Sequence, residues 1–168
     1  MKWSEKVLLL GVLVFGAGLG VIYSQAQKKP AIAYPTGYRK WTHVKSMVIF
    51  SKEHKLFDKF GGLHNVYVND IGWPSLQKAR AYPDGSILVF ELFDVRSSQG
   101  AIEARGGRKF LAVMKKNSKQ YAQTGGWGFE VFQGYQASGS LTEKDAKECF
   151  DCHASQKLKD YVYSDYAE

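Results

Sequence analysis

Five residues near the C-terminus, Cys149-Phe150-Asp151-Cys152-His153, constrain this chain more than any others. The spacing C-x-x-C-H is that of a c-type haem attachment site. Two thiols one helical turn apart can both add to the vinyl groups along one edge of a porphyrin. The adjacent imidazole is then held under the iron as an axial ligand. The expectation is one covalently bound haem c, held through Cys149 and Cys152, with His153 on the metal. No other cysteine occurs in the chain. Other uses of such a pair are a structural disulfide, which would close a very small loop, or a thioredoxin-like redox pair, which belongs near the start of a βαβ unit. A zinc site would need two more ligands at close spacing.

The opposite end of the chain bears on the same point. Lys2 and Lys6 precede an apolar run from Val7 to Tyr23, and Ser24-Gln25-Ala26 puts small residues at −3 and −1 of a cleavage site. Residues 1–26 therefore read as an export signal, with an uncleaved inner-membrane anchor as the alternative. Either form carries the body to the periplasm, the side on which bacteria attach c-type haem. Cleavage after Ala26 leaves 142 residues with a net charge of about +6, close to the +7 of the whole chain. That length suits a single domain with a real core. The lysines are scattered rather than blocked, as on a solvated face, and no nucleic-acid motif is present. A redox partner protein is compatible with such a basic surface.

Between these ends the chain reads as mainly β (α+β). Residues 27–36, with Pro30 and Pro35, form a polar linker, and a haem domain over 37–168 follows. Strands are expected over Trp41–Ser51, Leu63–Asn69, Ser86–Val95 and Trp127–Gly134. Ser86–Val95, apolar on both faces and preceded by the turn Pro83-Asp84-Gly85, should be central. Ile102–Lys116 reads as a hairpin or bulged pair broken at Gly106-Gly107. Short helices are expected near Trp73–Ala81 and Ser118–Gln123. The S-x-x-E run Ser140–Glu143 should cap a helix leading into the haem motif. The aromatic tail Tyr161–Tyr166 can pack on the body. This is not the pattern of four long amphipathic helices.

What a c-haem does depends on the other face of its iron. No methionine follows His153; Met47 and Met114 lie on expected strands and read as core. His43, His54 and His64 are the remaining histidines, and each could in principle be a distal ligand. An open or water-bound sixth position is the leading expectation.

The segments Tyr38-Arg39-x-Trp41 with HVKSMVI, FGGLHNVYVN (60–69), Pro83-Asp84-Gly85 with SILVFEL, GRKF (107–110), TGGWGF (124–129), and CFDCH with DYVYSDY occur in this order. Together they resemble the cytochrome P-460 family, and within it the cytochrome c′-beta type, from about Tyr38 to Tyr166. The resemblance implies a mostly antiparallel β-sheet, a homodimer and a pentacoordinate haem with His153 proximal. In the hydroxylamine-oxidising members a lysine is also bonded to the macrocycle. That lysine aligns with Phe90, and no lysine lies between Ser86 and Val95. Their pocket carboxylate aligns near Ala112 and their pocket arginine with His64. Phenylalanine at the cross-link position is the c′-beta pattern, in which two phenylalanines cap the distal face. Phe90 is expected to be one and Phe60 the other, with Phe57 the alternative; His64 is a possible polar residue of the pocket. The resemblance thus implies binding of nitric oxide and other small gases. A hydroxylamine-oxidising enzyme and a six-coordinate electron carrier are the alternatives.

Overall fold

A computed structural model describes residues 32–78 and 80–166. The expected export segment and the first part of the linker lie outside the described residues. Among the described residues no helix is long and apolar enough to cross a membrane. Five strands, β1 (Thr42–Ile49), β2 (Gly62–Val68), β3 (Ile87–Ser98), β4 (Ala101–Lys116) and β5 (Trp127–Gln133), form one antiparallel sheet in chain order. β3 is central, as its two-sided apolar run predicts. Three short helices flank the sheet: α1 (Phe57–Phe60), α2 (Trp73–Gln77) and α3 (Glu143–His153).

Three local expectations are corrected. Ala101–Lys116 is one continuous strand, and its hairpin partner is β3. The reversal occurs at Gln99-Gly100, both at positive φ (49° and 81°), as a two-residue hairpin turn requires. Gly106, at φ 68°, instead sits in a bulge where β4 slips register against Phe93 and Asp94. The segment after β4 makes turns and a single 3-10 turn at Ala122–Thr124, not an α-helix. The cap of α3 is Thr142, which exchanges hydrogen bonds with Asp145 in a reciprocal box. Ser140 lies upstream and donates its hydroxyl to the Val131 carbonyl.

Residues directly opposite in antiparallel strands share a face. One face carries Val89, Glu91, Leu111, Val113 and Phe132 and is sealed, with Val89 and Leu111 at 0 % exposure. Ile32, Tyr38 and Tyr121 cover it, so the second part of residues 27–36 packs on the sheet. A polar clasp closes this layer. Glu91 accepts from Tyr38 and Arg39, while Arg108 donates to the hydroxyls of Tyr34 (3.0 Å) and Tyr38 (2.8 Å).

The other face has two halves. Val66, Val68 and Leu88 are buried beneath Leu76, Tyr82 and Val162. Phe90, Ala112, Met114, Phe129 and Val131, on the three strands from the centre to the β5 edge, are only half-buried. α3 approaches this half through β5, yet none of its residues is buried.

Candidate functional site

Glu130, midway along β5, guides the chain round to α3. Its Oε1 accepts the backbone N–H groups of Ser140 and Leu141, each at 3.0 Å. The Thr142–Asp145 box then starts a helix whose last turns carry Cys149, Cys152 and His153. Both cysteines are free thiols, Cys149 half-buried and Cys152 exposed. Burial pushes the Cys149 thiol above its ordinary pKa. Among the described residues no three His, Cys, Asp or Glu side chains group as metal ligands, so the pair has no partners for zinc.

His153 is set for ligation from one side. Its Nδ1 lies 2.7 Å from the carbonyl oxygen of Tyr161. A carbonyl only accepts, so Nδ1 carries the proton, and the lone pair of the neutral ring is on Nε2. Burial lowers the pKa of His153 and favours that neutral form. The ring is framed by Phe129, with centroids 5.2 Å apart, and by Tyr163 at 5.1 Å.

The carbonyl that holds Nδ1 belongs to an unusual turn. Asp160 and Tyr161, both non-glycine, have φ of 50° and 66°. Such conformations cost on the order of 1–3 kcal/mol each and persist only where surroundings enforce them. Here they do. Asp160 accepts from the Tyr82 backbone (2.8 Å), from Lys116 Nζ (2.7 and 2.9 Å) and, through its carbonyl, from Trp127 Nε1 (2.8 Å).

The sheet register places a second cluster on the same face. Phe129 pairs with Met114; one row along, Val131 pairs with Ala112 and Ala112 with Phe90; the next row holds Gln133, Phe110, Leu92 and His64. Rows are two residues, or about 6.8 Å, apart. His153 therefore stands at the Phe129 row. The rings of Phe60, Phe90 and Phe110 meet one to two rows away, with centroids 5.7, 6.0 and 6.3 Å apart. Ala112 and Val131 form the low floor between. Phe60 reaches this cluster because α1 ends at Gly61 and β2 begins at Gly62. At Gly62, φ is 132°, and a Cβ would fall 2.0 Å from the Phe93 carbonyl oxygen.

His64 completes the second cluster. It is 2 % exposed, 4.7 Å from Phe90 between ring centroids, and its Nε2 donates to the Phe60 carbonyl at 2.6 Å. Its Nδ1 is buried without a partner, and burial lowers its pKa. With the proton on Nε2, the lone pair of the neutral ring is on the unpartnered Nδ1. His43 and His54 lie outside the cluster: His43 is exposed and pairs with Ser46, and His54 is exposed and accepts from the Leu56 backbone. Met47 is exposed, not core, whereas Met114 packs at the margin of the core. Phe57 lines a cavity of about 600 Å³ with Ile49, Phe50 and Gly61, and Phe60 is the ring that meets Phe90. Phe110 was not expected. Its only sequence signal is that it stands an even number of residues from Ala112 on one strand.

These observations fit an apolar, planar group bound through an imidazole. A half-open apolar strip occupies the middle of a sheet sealed on its reverse side. No residue of the helix beside it is fully buried, and the helix carries two free thiols and a histidine with a defined lone pair. The sequence model of the family described as Cytochrome P460 matches residues 35–164. No individual curated protein matches the chain.

Proposed function

The chain belongs to the cytochrome P460 family, which implies a haem cofactor, and from that premise we propose a single haem c held covalently by Cys149 and Cys152. His153 is its axial ligand, and the opposite coordination position is open to nitric oxide and other diatomic gases. When bound, the haem supplies the iron at which a gas is held. The chain's own residues do the rest. The Tyr161 carbonyl keeps the proton on His153 Nδ1. Phe60, Phe90 and Phe110 line the far side with ring edges and faces that give a gas no hydrogen bond and favour neither water nor anions.

One observation supports this reading: three phenylalanine rings, which cannot ligate iron, meet one to two rows along the same sheet face from the Phe129 row beside His153. The neighbouring histidine, His64, is tied through Nε2–H to the Phe60 carbonyl, and its lone pair on the unpartnered Nδ1 favours a second reading, a six-coordinate haem. Hydroxylamine oxidation through a cross-linked haem has less support, because Phe90 has Val66 and Ala112 as its cross-strand neighbours and β3 carries no lysine. The apolar segment at residues 7–23 supports a periplasmic location for a protein that sequesters, carries or senses the gas. The family resemblance supports a homodimer, and the basic charge is compatible with a redox partner protein.

The test begins with protein produced in a host that matures c-type cytochromes. After denaturation the haem should stay with the polypeptide. It should remain on one bond in Cys149→Ala or Cys152→Ala and be released when both are changed. The reduced wild type should then take up one nitric oxide per chain. Haem that leaves on denaturation of the wild type, or a third bond to the polypeptide found by peptide mass, would overturn the proposal.

A further inference from the structure

Asp160 is the point at which three separated parts of the chain converge. The N–H of Tyr82 comes from the loop before β3, Lys116 from the end of β4, and the indole of Trp127 from the start of β5. Lys116 is itself fixed, donating to the Gly125 carbonyl at 3.0 Å and lying 4.9 Å above the Trp127 ring. The Lys116–Asp160 pair is nearly buried, with side chains 10 % and 13 % exposed. Gly125 has φ of 62°, and any Cβ there would lie 2.2 Å from the Tyr161 ring, so the ring rests directly on glycine backbone. The bonds to Asp160 fix the peptide that leads into Tyr161. The next carbonyl, that of Tyr161, is the acceptor for His153.

We infer that Asp160, seated by Lys116 and Trp127, is the positioning residue for the axial histidine. By setting the Tyr161 carbonyl, it determines how strongly His153 holds the iron when nitric oxide binds on the opposite side. The inference rests on the haem reading above. Nitric oxide weakens the bond opposite to it on an iron centre, so retention of His153 depends on the strength of that bond. An acceptor at Nδ1 raises the basicity of Nε2, and partners that orient a ligand in this way typically matter about 10–100-fold. The left-handed turn at 160–161 would relax without its anchors and withdraw the acceptor. A tail that merely docked to the sheet would need neither two successive left-handed residues nor a carbonyl aimed at the imidazole.

The experiment uses the haem-loaded full chain and compares wild type with Asp160→Asn, Trp127→Phe and Leu111→Ala. Asp160→Asn keeps the shape and removes the charge that holds Lys116. Trp127→Phe removes the indole donor together with part of a buried ring that faces Lys116, keeps the Asp160 carboxylate, and serves if the first variant fails to fold. Leu111→Ala destabilises the sealed face without touching the turn. Two readouts are taken in the reduced protein: the iron–histidine stretching frequency, and the rate at which the histidine leaves on adding nitric oxide. For Asp160→Asn the frequency should fall and the rate should rise about 10–100-fold. Trp127→Phe should move both in the same direction by less, and Leu111→Ala should move neither. If Asp160→Asn and Trp127→Phe both leave frequency and rate at wild-type values, or Leu111→Ala shifts them equally, the inference is overturned while the haem reading stands. If the wild type carries no haem bonded to His153, the haem reading itself has failed.

Discussion

The two faces of the sheet are built from the same strands and the same kinds of residue, yet they end differently. On β3 and β4, Val89, Leu111 and Val113 point to one side and are at most 2 % exposed. Their immediate neighbours Phe90, Ala112 and Met114 point to the other and stay half-open. The first side is closed by the protein itself: residues 32–38 cover it, and the Glu91–Arg39–Arg108 clasp pairs its buried charges, with Arg108 Nη2 the one buried nitrogen of the clasp left without a partner. The second side is framed but not closed, with His153 beside the Phe129 row and the phenylalanine trio one to two rows along. Apolar area left open in the middle of an otherwise complete sheet marks a place for a ligand rather than a weak core.

The comparison can be broken by substitution on each side. On the sealed face, Phe132→Ala should cost about 3–5 kcal/mol through the cavity it leaves. Glu91→Gln should cost a similar amount, about 3–5 kcal/mol, because Arg108 would be left buried beside a neutral group. Chemical denaturation measures both, and the haem spectrum should not change. On the open face, Phe90→Ala should cost less stability than either. It should speed gas association about tenfold, equivalent to about 1.4 kcal/mol of barrier, as stopped-flow mixing would show. If the sealed-face changes altered gas binding and Phe90→Ala did not, the assignment of the faces would be wrong.

A pH series sharpens the contrast. Burial lowers the pKa of His64 below its ordinary value of about 6.5. The unfolded chain therefore takes up this proton more readily than the folded one. Above about pH 6.5 the group contributes no pH dependence. Below it, stability should fall by up to about 1.4 kcal/mol per pH unit until the folded-state pKa is reached. Denaturation midpoints between pH 7 and pH 5 would show this slope in the wild type and a shallower one in His64→Leu. The smallest effect is expected at the start of α3. Thr142→Ala should remove about 1 kcal/mol through loss of the cap, again by denaturation, with the haem still attached.

Much of this was legible in the sequence, for particular reasons. β2 alternates strictly, and its burial alternates with it; β3 is apolar on both faces and lies at the centre. The haem motif was visible because its residues are local. β4 was misread because a glycine pair suggests a turn. The actual turn used Gln99, whose positive φ no composition rule points to. Thr142 was missed as the cap because Ser140 offered the same spacing to a glutamate. Phe110 and Asp160 were invisible for another reason. Phe110 counts only through the register that sets it beside Phe90. Asp160 counts only through partners 78, 44 and 33 residues away.

The central claim is that the open face holds a haem with His153 on one side of the iron and only phenylalanine on the other. The absorption spectrum of the reduced protein with no added ligand tests it most directly. A five-coordinate, high-spin spectrum that changes on adding nitric oxide is the predicted result. A six-coordinate, low-spin spectrum in the unliganded protein would contradict it.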